Sequence, residues 1–264
     1  MYDPPAYLWA IAIAGTAAIA VTTCIALYRG ARLARLGRKR AALLGGGAAV
    51  LLGGWLTASA VIAGHGWYHT QLGRQVPWLP IAVVGFMGTL LAAIRIPLVA
   101  HALAAPGMAR RLVHPHSFRV AGVAFLLSMA LGHLPALFAL PAGLGDIATG
   151  LAAPLVARKL SQGTGRRAAL WFNALGLADL VVALSLGALT GYQLLKVTPS
   201  SAAIGELPLA LIPTVAVPLL FALHITSLFT LARTPRSASS AGDLLTSGHT
   251  PRAAVEPSPA SPAR

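Results

Sequence analysis

Long stretches of this chain hold no charge at all. No Asp, Glu, Lys or Arg occurs in 4–28, 41–73, 75–94 or 207–232, and 120–157 and 168–195 contain one each, Asp146 and Asp179. A helix that crosses the hydrocarbon core of a bilayer needs about 20 mostly apolar residues. The windows have room for seven such helices, because 120–157 is long enough for two. They predict an all-α fold, a polytopic membrane helix bundle with transmembrane helices near 6–28, 41–64, 79–104, 117–132, 135–157, 168–192 and 208–231. Gly132 and Pro135 supply a stop and a restart between the fourth and fifth helices.

The formal net charge is +14, which in a soluble protein would suggest nucleic acid. The positions of the charges say otherwise. With the amino terminus outside, the cytoplasmic segments collect 17 of the 20 Lys and Arg, leaving only Arg74 and Lys196 outside and Arg95 within a helix. That asymmetry is the positive-inside pattern, so the charge reads as topology and no nucleic-acid partner is expected. The expected partner is the lipid bilayer. In Arg29–Arg40, RGARLARLGRKR, the residues Arg29, Arg32, Arg35 and Lys39 recur at helical spacing. The segment reads as a solvated cytoplasmic loop or as a short interfacial helix, with anionic headgroups beside it.

The first segment follows Asp3, lacks a basic leader and is too long for a signal-peptide core, so it is expected to remain as helix one. Residues 233–264 are rich in Ser, Pro, Ala and Thr without an apolar period, as in a disordered tail, here on the cytoplasmic side. Cys24 is the single cysteine, which excludes an intramolecular disulfide or a Cys-based zinc site.

Ionisable groups inside a bilayer are costly and face a bundle interior or a wet cavity. The candidates are Arg95, Asp146, Asp179 and His224. Asp146 precedes Arg158 by 12 residues and Asp179 follows Arg167 by 12, which puts both about 18 Å from the cytoplasmic edge at helical rise. The same count gives about 14 Å for His224 and about 15 Å for Arg95, one layer near the membrane centre. Small-residue stripes, Asp179-Ala183-Gly187-Gly191 and Ala142-Asp146-Gly150, turn both aspartates toward neighbouring helices. Pro97, Pro213 and Pro218 interrupt the backbone ladder at the same level. Arg95 is expected to offset one aspartate, and the other to hold a proton or pair with protonated His224. Such a layer serves either as a proton or ion relay in solute transport or as a static network that fixes helix register in a scaffold or signalling partner.

Gly143-Leu144-Gly145-Asp146 resembles the GxGD motif of intramembrane aspartyl proteases, and Pro135-Ala136-Leu137 their PAL string. That resemblance implies Asp146 and Asp179 as a catalytic dyad, although here the partner aspartate follows the motif instead of preceding it. His65 and His69, in HGWYH, have a spacing that can ligate a metal from one helical face, with His133 near the same surface; Trp67 and Tyr68 equally mark an interfacial aromatic belt. The chain carries no HExxH, GxSxG, Walker A or GxGxxG string, and no cofactor is implied.

LPALFALPAGLGDIATGLAAPLVARKL, WFNALGLADLVVAL and LPLALIPTVAVPLLFALHITSL resemble multi-pass membrane proteins of actinobacteria and other bacteria. The resemblance covers about the last four helices. It implies a bacterial cytoplasmic membrane and transfers no residue role.

Overall fold

The computed structural model describes residues 3–69 and 76–233, and every regular element among them is helical. The order is α1 (Ala6–Leu33), α2 (Arg38–Gly64), α3 (Trp78–Ala93), α4 (Pro97–Leu103), α5 (Met108–Val113), a 3-10 helix (His114–Gly122), α6 (Val123–Ala130), α7 (Ala136–Ser161), α8 (Arg166–Gly191), a second 3-10 helix (Ser201–Gly205), a π-helical turn (Ile212–Ala216) and α9 (Val217–Arg233). Five helices are long and apolar enough to cross a membrane: α1, α2, α7, α8 and the π turn continued by α9. The pair α3 and α4, bent by 81°, makes a sixth if taken as one span. Arg74 and the tail expected beyond Arg233 lie outside the described residues.

Two expected helices take a different form. The stretch 79–104 is broken at Ile94–Ile96. Pro97 has no N–H to continue the ladder and its ring crowds the preceding turn, so it opens a new helix at the first position instead. The stretch expected at 117–132 begins earlier, as the 3-10 helix. At three residues per turn, positions three apart eclipse, so His116, Arg119 and Gly122 form one stripe, and all three are buried. An α-helix would have fanned them apart.

The Arg29–Arg40 segment forms no helix of its own. α1 runs through Arg32, and the chain then turns at Arg35 and Gly37, both with positive φ, before α2 starts at Arg38. Between α6 and α7, Gly132 adopts φ +78 and Pro135 precedes the first turn of α7, which continues through Pro141.

Glycines set how closely α7 is approached. Gly143 faces Leu126 and the Gly122 carbonyl, whereas Gly145 faces Asp179 of α8. Two residues along a helix turn the direction by about 200°, so the GLG string lets α7 be gripped from opposite sides. Gly150 faces the backbone of Val120, and Gly15 brings α1 against Ala121. Pro218 provides no N–H for the Thr214 carbonyl one turn earlier. The Trp55 indole of α2 fills that role, donating to the Thr214 carbonyl at 2.8 Å. Ser59 joins the Thr214 hydroxyl at 2.6 Å.

Candidate functional site

The centre of the bundle is built around Arg119. Its side chain is fully buried, and each guanidinium nitrogen has a partner on a different helix. Nε donates to Asp146 Oδ1 of α7 at 2.7 Å, and Nη2 donates to Asp179 Oδ2 of α8. Nη1 lies 3.3 Å from His224 Nε2 of α9. A guanidinium has donors only, so His224 accepts through Nε2 and is neutral. Its proton is on Nδ1, 2.9 Å from Asn173 Oδ1. Asn173 completes the chain, donating through Nδ2 to Ser227 Oγ at 3.0 Å and to the Ala169 carbonyl at 2.7 Å.

Three of these polar groups, Asp146, Asp179 and His224, sit in space left by a glycine. A Cβ on Gly122 would strike Asp146, one on Gly145 would strike Asp179, and one on Gly176 would strike the His224 ring. The helices could not approach closely enough to bring these groups together if those positions carried side chains. Next to His224 lies His116, its ring centroid 3.9 Å away. His116 is fully buried, and neither of its ring nitrogens has a hydrogen-bond partner among the described residues.

Asp146, Asp179 and His224, read from the sequence as one layer, therefore share a single guanidinium. Arg95 does not join them. It occupies the exposed bend between α3 and α4 that Pro97 creates, and Arg119 takes the counter-charge position instead. His224 faces Arg119, not a carboxylate, so it is not the protonated partner of an aspartate. Charge counting groups Arg119 with the cytoplasmic cations because His114, Arg110 and Arg111 precede it so closely. The signal that marks it out is its position inside the expected fourth helix, directly before a window whose one charge is a carboxylate.

The histidine metal site does not assemble. α2 ends at Gly64, His65 caps it with Nδ1 2.8 Å from the Val61 carbonyl, and Gly66 turns the chain at φ +68. His65 and His69 thus share no helical face, and His133 belongs to the turn before α7. Among the described residues no group of three His, Cys, Asp or Glu is placed to hold a metal. His116, just outside the helix expected at 117–132, is in the core.

A cavity of about 250 Å3 adjoins the network. It lies between α3, α7, α8 and the π turn, with walls that include Val84, Phe138, Leu184, Ala188 and Val217. Asp146 is its only charged lining residue. Val84 and Ala188, on its α3 and α8 walls, are exposed, and α3 does not pack closely on α8. Arg119 bonds only Oδ1 of Asp146; Oδ2 accepts no hydrogen bond among the described residues. The side chains of Asp146 and Asp179 keep 13% and 18% exposure, against none for Arg119.

A family model described as a domain of unknown function, DUF8737, matches residues 76–232, more than half of the chain. The chain belongs to that family. The DUF8737 segment runs from just before α3 into α9, so it holds Arg119, Asp146, Asn173, Asp179 and His224 and every wall of the cavity. α1 and α2 precede it. No curated protein and no solved structure matches the chain.

Proposed function

We propose that this protein is a seven-span carrier of the bacterial cytoplasmic membrane that couples movement of a small solute to a proton or ion at Asp146 and Asp179. The observation that carries the reading is the charge count around one guanidinium. Two carboxylates against one cation, with His224 neutral, leave one negative charge in excess when both are ionised. An uncompensated charge in a low-dielectric interior costs several kcal/mol, so a proton or a cation completes the balance. The partial exposure of Asp146 beside a cavity gives that species a way in.

The seventh span is the 3-10 helix continued by α6. A 3-10 helix rises about 2.0 Å per residue, so His114–Ala130 covers about 30 Å, the thickness of the hydrocarbon core. With the amino terminus outside, Arg29–Arg40, Arg110, Arg111 and the α7–α8 turn face the cytoplasm, where anionic headgroups attract them. Two other readings compete. In a scaffold the triad would be a static pin, and the partly exposed Asp146 beside a cavity counts against it. An aspartyl protease needs two carboxyl groups sharing a proton and a water, and Arg119 bonds both instead.

The test uses proteoliposomes with a pH-sensitive dye inside and a panel of small amines, carboxylates and sugars outside. The reading expects one solute class to drive a pH change that Asp146→Asn and Asp179→Asn abolish while both variants remain folded. A response unchanged in the folded variants, or none with any solute, would rule it out.

A further inference from the structure

The cavity itself restricts the solute. Apart from Asp146, its walls are almost entirely apolar, and they include the exposed Val84 of α3 and Ala188 of α8. Its volume of about 250 Å3 lies between a benzene-sized cavity of roughly 150 Å3 and the roughly 300 Å3 at which drug-sized pockets begin. That suits one aromatic ring or a short branched chain with a small head group. The head group must satisfy Oδ2 of Asp146, an acceptor without a donor, in a triad that is one positive charge short of neutral.

We propose that the cavity binds a small lipophilic monovalent organic cation, a protonated arylalkyl or alkyl amine, which enters between α3 and α8 and places its ammonium on Asp146 Oδ2. This rests on the carrier reading and names its substrate class. The ammonium takes the place of the proton that otherwise balances the two carboxylates: one proton leaves the triad as one ammonium arrives, and no bond is made or broken apart from that to the proton. A carboxylic acid or a phosphate would add a second uncompensated negative charge. A neutral alcohol would leave the existing one in place.

The experiment measures equilibrium binding of phenethylamine and of 2-phenylethanol to the full-length protein in nanodiscs, without a gradient. Saturable amine binding is expected, weaker for the alcohol by about tenfold or more, the worth of one charge-assisted hydrogen bond. Affinity should rise about tenfold per pH unit while a proton is displaced, with one proton released per amine bound. Asp146→Asn should remove the difference between amine and alcohol. Because that variant perturbs Arg119 as well, Val84→Trp provides a second arm: it narrows the mouth without touching the triad and should block amine binding in a folded protein. Equal binding of amine and alcohol, or amine binding untouched by Val84→Trp and by folded Asp146→Asn, would overturn the proposal. So would absent amine binding in a protein whose dye-loaded vesicles still respond to another solute; that result would leave the carrier reading in place.

Discussion

Asp179 lies where a side chain on Gly145 would be. The second glycine of the GLGD string is therefore a packing requirement of the α7–α8 interface, and it is what allows Asp179 to reach the guanidinium that Asp146 also binds.

Substituting Gly145→Ala should consequently displace the Asp179 carboxylate or separate the helices. Overpacking of this kind costs about 1–3 kcal/mol, and thermal unfolding in detergent should show a clear drop. Gly46→Ala is the control: its Cβ meets nothing within 4 Å, and alanine is the better helix former by about 1 kcal/mol, so its unfolding temperature should stay level or rise.

Arg119→Leu should be among the most damaging single changes in the chain, because it leaves two carboxylates without their cation. Breaking a buried ion network by removing one partner costs roughly 3–5 kcal/mol. Adding Asp146→Asn and Asp179→Asn to it should recover a large part of that loss. Arg119→Lys should not rescue, since an ammonium cannot present three donors in the fixed fork that reaches α7, α8 and α9. Chemical unfolding of the single and triple variants measures this non-additivity directly.

The donor-only character of Arg119 fixes the tautomer of His224. Nitrogen-15 spectra of histidine-labelled protein should show a neutral ring protonated at Nδ1, and Asn173→Ala should perturb that resonance by removing its acceptor. A signal protonated at Nε2 would mean that Arg119 does not donate to His224, because a guanidinium cannot accept.

The basic patch around the turn between α1 and α2 should select anionic lipid. Arg29 is close enough to Arg111 for its charge to be felt there, as is that of Arg110, which joins the turn between α1 and α2 to the region before the 3-10 helix. Native mass spectrometry should find anionic lipids retained over zwitterionic ones. Replacing these three arginines by glutamine should reduce the preference, as should raised salt, which screens exposed charge.

The helical fold was legible because charge-free windows of membrane-crossing length leave few alternatives, and they locate α1, α2, α7, α8 and α9. The pairing of Asp146 with Asp179 was legible from equal distances to basic residues on two adjacent helices. Arg119 was not, because it follows Arg110 and Arg111 so closely that it was grouped with them as a loop charge and its depth was never counted. Arg95 was misplaced for the opposite reason: a continuous helix was assumed across Pro97, and the bend moves it out of the layer. The histidine pair failed on a helix end that Gly64 and Gly66 mark in the sequence. The cavity had no sequence signature, since its walls are the same Val, Leu, Ala and Phe that face lipid elsewhere.

The central claim is that the triad of Arg119, Asp146 and Asp179 holds one exchangeable proton. Infrared difference spectroscopy of the protein in nanodiscs, titrated through pH, tests it without reference to any solute. One protonated-carboxyl stretching band should disappear as the pH rises, and it should be missing from both Asp146→Asn and Asp179→Asn, where a single carboxylate remains against Arg119. A titration with no such band, or one that survives in both folded variants, would mean that the excess charge is not a proton site and that the network only holds the helices together.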